Sequence, residues 1–115
     1  MKYGKLKSSW QFNKVYKEGG KYSGDLFILY VLPNNTQETR IGLTVTKKVG
    51  ISVQRNRIKR VIREVFRSLK EIVPGNDLVV IARGTAVDLK YSQAQDSLTH
   101  LLHRAHILTS KATQE

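Results

Sequence analysis

The sequence predicts an α+β fold, an α/β sandwich in which helices pack against a small mixed sheet. Its periodic segments follow the order α-β-β-α-β-α, or α-β-β-β-α-β-α if residues 21–23 add a short strand. Residues 77–83 are almost continuously apolar, as in a strand covered on both faces. Residues 39–83 make a strand-helix-strand unit long enough for a crossover between parallel strands. The chain, residues 1–115, is too short for two ordinary domains, so a single domain is expected.

The first helix is predicted from its two ends. Ser8 or Ser9 can cap a helix over WQFNKVYK, and Gln11 stands three residues after Ser8, as in a capping box. Gly19 and Gly20 then provide the C-terminal stop.

Two strands are expected next. The sequence predicts strands over residues 25–32 (DLFILYVL) and over the alternating residues 39–46. Residues 33–38 between them are typical of a turn, which predicts a hairpin.

The second half of the chain predicts a helix, a strand and a final helix. The second helix starts at residue 52, and its apolar stripe comprises Ile58, Val61, Ile62, Val65, Phe66 and Leu69. The strand 77–83 follows, and then a last helix over roughly residues 92–107. The two ends of the chain, residues 1–5 and 109–115, are expected to be loose.

The chain is strongly basic. Twenty Lys and Arg residues against nine Asp and Glu give a formal net charge of +11, which favours a polyanionic partner such as nucleic acid. Residues 47–70 alone hold nine basic residues and one acid. The absence of cysteine excludes disulfides and thiolate metal sites. There is no signal-peptide pattern, and the longest apolar run, FILYVL, is too short to span a bilayer, so a cytoplasmic protein without membrane contact is predicted.

This charge is concentrated on one face of the second predicted helix, opposite the apolar stripe, since each residue advances about 100° around the axis. The cationic face comprises Asn56, Lys59, Arg60, Arg63, Arg67 and Lys70. Arg55 and Arg57 widen it at the first turn, and Lys47 and Lys48 extend it before the helix. A merely solvated face is the simpler interpretation, but such faces interleave acids four residues away, and here only Glu64 does so. We therefore favour binding to phosphates.

The spacing of these residues is specific. The segment KKVGISVQRNRIKRVIREVFR, residues 47–67, closely resembles the signature of the bacterial ribonuclease P protein subunit. The matching positions are Arg55, Asn56, Arg57, Lys59, Arg60 and Arg63. The blocks FNKVYKEGG, LFILYVL, RIGLTVTKKVG and LVVIARG also resemble the family's blocks in the family's order, so the resemblance covers roughly residues 6–108. Ser52 departs from the family's usual alanine, but serine is small and suits an N-cap.

The resemblance implies a function. In ribonuclease P the catalytic RNA and its bound Mg²⁺ hydrolyse the phosphodiester 5′ of the mature tRNA, while the protein binds the catalytic RNA and the 5′ leader of precursor tRNA. No catalytic residue, metal or cofactor is then expected in the protein itself, and no obligate protein partner is predicted. The resemblance also implies a left-handed β-α-β crossover, although about 98% of such connections are right-handed. A general structured-RNA-binding protein, such as a ribosomal protein, and a stand-alone metal-dependent nuclease remain alternatives.

Aromatic residues form a second candidate site. Phe12 and Tyr16 are four residues apart and share one face of the first helix, and the strand 25–32 is apolar on both faces. Such rings either belong to the core or line a cleft that stacks bases. The resemblance implies the cleft, with Phe12, Tyr16 and Tyr30 holding the leader. Trp10 is expected to be a core anchor.

No residue pattern indicates a catalytic centre. The nine acids are scattered, without the converging carboxylates that a two-metal nuclease needs. His100, His103 and His106 advance about 300° per step, so only the first two could share a site, and a helix-surface role is favoured over metal binding.

Overall fold

The computed structural model describes residues 3–69 and 72–108. Its helices are α1 Ser9–Glu18, α2 Ser52–Ser68 and α3 Tyr91–Arg104, and a short 3₁₀ turn spans Gly84–Ala86. Its strands are β1 Gly4–Lys5, β2 Gly20–Ser23, β3 Phe27–Pro33, β4 Arg40–Thr44 and β5 Asn76–Ala82. The predicted α+β class and the predicted order of elements are confirmed, with β1 as an addition. The predicted loose segment 109–115 lies outside the described residues.

The five strands form one mixed sheet in the order β1-β4-β5-β3-β2. β4 and β5 are parallel neighbours joined through α2, which confirms the predicted crossover. The hand of this crossover stays a prediction of the family resemblance. The predicted hairpin between β3 and β4 is wrong, because β5 lies between them and pairs with both. β5 is apolar on both faces, and such a strand is best covered in the middle of a sheet. On its other side, β3 pairs with β2, which is antiparallel to it.

Part of the segment that was expected to be loose, residues 1–5, is paired in the sheet as β1 Gly4–Lys5, while residues 1 and 2 lie outside the described residues. The Gly4 N–H donates to the Thr39 carbonyl at 2.9 Å, and the Leu6 N–H donates to the Ile41 carbonyl at 3.1 Å. Leu6 is also buried. A strand of two residues has no period that a sequence pattern could reveal, and its pairing with β4 holds it in place.

The two faces of the sheet carry separate clusters of buried residues. On one face, α2 and α3 cover Phe27, Leu29, Leu78 and Val80, which belong to the main core. On the other face, α1 packs Val15 against Val79 of β5, and a smaller cluster surrounds this pair. The sheet is therefore the middle layer, and α1 stands alone on the face opposite the basic helix.

Each helix begins with the same hydrogen bond. A glutamine at the third helical position accepts from the backbone N–H of the N-cap residue at 3.0 Å in α1, 2.9 Å in α2 and 2.8 Å in α3. The three pairs are Gln11 with Ser8, Gln54 with Ile51, and Gln93 with Lys90. The start of α1 confirms its predicted capping glutamine. The N-cap of α2 is Ile51, so Ser52 is the first helical residue and not the cap. The backbone N–H of Ile51 donates to the Gln54 side chain, so this N–H has a partner without a serine cap.

Within residues 3–69 and 72–108, no helix combines the length and the apolar character that crossing a membrane requires.

Candidate RNA-binding surface

The helix α2 separates its apolar and basic residues as predicted. The buried side chains of α2 are Ile58, Val61, Ile62, Val65 and Phe66. Asn56, Arg57, Arg60, Arg63 and Arg67 are exposed on its other side, while Arg55 and Lys59 are half-buried. Lys47 and Lys48 are exposed in the turn that leads into α2. The structure thus presents nine of the ten predicted polar positions; Lys70 lies outside the described residues.

Within the described part of the chain, no cation of this face forms an ion pair, although Glu64 lies on the same helix. The ion pair that the described residues form joins Arg40 to Asp77 at 2.8 Å, away from α2 at the start of β4 and β5. The cations of α2 therefore repel one another without an internal partner, and a row of phosphates relieves that repulsion.

Arg55 has an unmet hydrogen-bond donor. Its Nε atom is buried, and no partner for it is found among residues 3–69 and 72–108. A buried donor without a partner destabilises by about 1–3 kcal/mol. Because this Nε atom is buried, RNA does not reach it in this conformation, and Arg55 stays a predicted contact through the rest of its half-buried side chain at the first turn of α2.

The aromatic residues lie together on the face of the sheet that α1 covers. The ring centroids of Tyr16 and Tyr30 are 5.1 Å apart in an edge-to-face arrangement, and those of Phe12 and Tyr16 are 6.5 Å apart. The Tyr16 hydroxyl hydrogen-bonds the Thr44 hydroxyl at 2.9 Å. All three rings are half-buried. They pack against the smaller cluster and still present surface to solvent. Their burial therefore fits both interpretations of the sequence, a core residue and a ring that lines a cleft.

The strand register shows where this face is open. Gly42, Val79 and Tyr30 form one row across β4, β5 and β3, and α1 lies over this row. The next row toward the C-terminal ends of β4 and β5 consists of Thr44, Ile81 and Ile28, which are all half-buried. This half-buried row therefore extends the face from the Tyr16–Tyr30 pair toward the C-terminal end of β4, where Lys47 and Lys48 follow.

A pocket joins the aromatic cluster to the basic helix. It has a volume of about 150 Å³ and lies at the edge of β4, just beyond the end of the short strand β1. Phe12 lines it from α1, Leu43 from β4, and Lys59 and Arg63 from α2. An aromatic ring and two cations that line one pocket suit a nucleotide, with its base against the ring and its phosphate toward the cations.

Gly42 makes this arrangement possible. A Cβ atom at residue 42 would lie 2.6 Å from Cζ and 2.7 Å from Cε2 of Phe12. Only glycine lets the ring approach β4 so closely. A glycine inside an alternating strand often marks such a close approach. The sequence could therefore have predicted a close contact at Gly42, but not that Phe12 makes it.

Comparison with known proteins decides the family. A family model described as Ribonuclease P matches residues 1–106. The chain belongs to this family. The ribonuclease P protein component of Halalkalibacterium halodurans is 40% identical over 109 residues, which cover 93% of this chain and 92% of the relative. The Staphylococcus aureus RNase P protein has a TM-score of 0.84 at 37% identity, covering 91% of this chain and 97% of its own. The Thermotoga maritima RNase P protein has a TM-score of 0.77 at 28% identity, covering 87% of this chain and 96% of its own.

Membership in the ribonuclease P protein family confirms the predicted function. The chain is a protein subunit of the ribonuclease P holoenzyme, which cleaves tRNA precursors, and it works with the ribonuclease P RNA. The alternatives of a ribosomal-type RNA-binding protein and a stand-alone nuclease are set aside.

One aromatic prediction for this ribonuclease P protein is wrong. Trp10 is not a core anchor, because 67% of its surface is exposed. It precedes Phe12 by two residues, so it points about 200° away from the ring that faces the sheet.

His100 and His103 lie on α3, and His106 follows that helix. His100 and His106 are exposed, and His103 is half-buried. Across residues 3–69 and 72–108, no three His, Asp or Glu side chains are grouped so that they could hold a metal ion.

Proposed function

We propose that this subunit of ribonuclease P binds the 5′ leader of precursor tRNA in the groove formed by Phe12, Tyr16 and Tyr30, while the cationic side of α2 binds the catalytic RNA. The observation that carries this proposal is the pocket that Phe12, Lys59 and Arg63 line together. It puts a base-stacking ring and phosphate-binding cations within reach of a single nucleotide. A single strand in this pocket would lie beside the helix that contacts the catalytic RNA.

The remaining predicted contacts extend this surface. Lys47, Lys48, Arg55, Asn56 and Arg57 surround the start of α2, where the helix also offers unpaired backbone N–H groups. Arg60 and Arg67 continue it along the exposed side. Arginine forks suit bidentate contacts with phosphate, and a broad set of them suits a folded RNA better than a single phosphate.

In this proposal the protein contributes electrostatics and position to the reaction. Its cations release counterions from both RNAs and screen the repulsion between catalytic RNA and substrate. Holding the leader orients the scissile phosphodiester at the RNA's active centre. We assign no catalytic residue and no metal or other cofactor to the protein, and we propose that the Mg²⁺ of the reaction is held mainly by the RNA. No obligate protein partner is required.

We further propose that the subunit acts in the bacterial cytoplasm, where tRNA precursors are made. Its bacterial relatives and its cysteine-free composition support this placement.

Reconstitution with the cognate catalytic RNA tests the proposal. The dissociation constants of precursor and mature tRNA are compared with and without the protein, over a range of Mg²⁺ concentrations. We expect the protein to strengthen precursor binding over mature tRNA binding and to lower the Mg²⁺ concentration needed. Replacing Phe12 with Leu should reduce the preference for precursor and leave mature tRNA binding unchanged. Equal effects on both substrates would contradict the assignment of the groove to the leader.

A further inference from the structure

Trp10 is the single tryptophan of the chain, and its side chain is held at the surface. A Trp side chain is large and apolar, and 67% exposure leaves most of it uncovered. Beside it lies a pocket of about 100 Å³, lined by Lys14 of α1, by Leu32 and Pro33 at the end of β3, and by the polar residues Gln11, Asn34, Arg40 and Asp77. Arg40 and Asp77 are paired with each other. The ring therefore forms one wall of a small recess of mixed polarity, to which Lys14 contributes an amine.

The exposed side of α1 is also positively charged. Lys14 and Lys17 follow Trp10 at four and seven residues, so they lie within about 40° of it around the helix. Lys7, just before the helix, is exposed as well. The acid of α1, Glu18, lies about 80° from Trp10 at the far end of the helix. None of these lysines forms an ion pair within residues 3–69 and 72–108. An aromatic ring among unpaired cations is complementary to a single RNA strand.

The start of α1 connects this recess to the pocket that we assign to the leader. Lys5 and Leu6 line that pocket together with Phe12. The chain then runs through Lys7 into the first turn of α1, where Trp10 lies. A strand whose base stacks on Phe12 can pass over this first turn, whose sequence contains no acid. The structure therefore provides a cationic path from one ring to the other.

We propose that Trp10 is a stacking platform for a nucleobase of the precursor leader, on the 5′ side of the nucleotides held in the groove. The exposed ring leaves a surface on which a base can stack, and an unpaired base is what the single-stranded leader offers. This inference rests on the proposed leader binding and extends it. The catalytic RNA is the competing occupant, and the experiment separates the two.

The intrinsic fluorescence of Trp10 gives a direct readout, since a stacked base quenches it and no other tryptophan contributes. Holoenzyme is assembled with the cognate RNA and titrated with precursors whose leaders are shortened one nucleotide at a time from the 5′ end. We expect no quenching from the catalytic RNA alone, quenching with long leaders, and its loss below a definite leader length. Trp10→Ala should weaken binding of long-leader precursors by about 5- to 10-fold, the lower end of the range for a stacked aromatic residue, whereas Trp10→Phe should retain most of the affinity.

The controls separate this inference from the leader assignment itself. Phe12→Leu should weaken precursors with both long and short leaders, while Trp10→Ala should affect only the long ones. Tyr91→Ala removes another exposed aromatic side chain, on α3, and should change neither. If Phe12→Leu has its effect and Trp10→Ala has none, the platform is wrong and the groove stands. Quenching by the catalytic RNA alone, or a loss of affinity independent of leader length, would assign the recess to the catalytic RNA and overturn the proposal.

Discussion

A Gly42→Ala substitution tests whether the contact between α1 and β4 sets the position of the Phe12 ring. The added Cβ atom would lie 2.6 Å from Cζ of Phe12 and 3.2 Å from Cβ of Leu6. Ordinary contact begins at 3.4 Å, so the ring has to retreat by about 0.8 Å. The ring also packs beside Tyr16, with centroids 6.5 Å apart, so its displacement disturbs that contact. The substitution therefore strains the wall shared by the groove and the pocket.

Two effects of this change can be estimated. Overpacking destabilises by about 1–3 kcal/mol, and replacing glycine with alanine stabilises by about 0.4–1 kcal/mol through the unfolded chain. We expect a net decrease of about 0.5–2 kcal/mol in the free energy of unfolding, measured by urea denaturation. A displaced Phe12 ring also loses part of a stacking contact of about 1–3 kcal/mol, so precursor affinity of the holoenzyme should fall by about three- to tenfold.

Matched variants make this prediction decisive. Gly84→Ala adds the same methyl group at a position where, among the described residues, no atom beyond its chain neighbours lies within 4 Å, so it should neither destabilise the fold nor weaken precursor binding. Combining Gly42→Ala with Phe12→Leu removes the clash, so stability should recover beyond additivity while precursor affinity stays low. If Gly42→Ala alone keeps both the stability and the precursor preference of the parent protein, the reasoning from this contact is refuted.

Further substitutions test the basic helix and the ion pair. Arg60→Ala or Arg67→Ala should weaken binding to the catalytic RNA and reduce the slope of log K against log salt by about 0.7–0.9 per lost phosphate contact; an unchanged slope would remove that residue from the interface. Asp77→Asn leaves the Arg40 guanidinium, which donates two hydrogen bonds of 2.8 Å to the carboxylate, without its counter-charge. Urea denaturation should show a loss of about 1–3 kcal/mol, and a variant as stable as the parent would show that the pair contributes nothing.

The basic helix could be predicted almost completely from the sequence. Its apolar stripe and its cations repeat at about 3.6 residues, so local periodicity alone decides which side packs and which side faces solvent. Ile58 and Phe66 are buried, and Arg60 and Arg63 are exposed, as that period requires. The coverage of β5 on both faces followed from its composition in the same way.

The sequence alone determined the elements, the apolar and cationic sides of α2 and the family resemblance, because these depend on residues close together in the chain. Only the tertiary structure decided which strands are neighbours, since β5 pairs with both β3 and β4 through contacts that no local period encodes. It also decided that Trp10 is exposed and that Phe12 rests on Gly42. Above all, it brought Phe12 into one pocket with Lys59 and Arg63. Phe12 lies far from Lys59 and Arg63 in the sequence. They meet because α1 and α2 pack on opposite faces of one sheet and reach the same edge of it, where β1 ends.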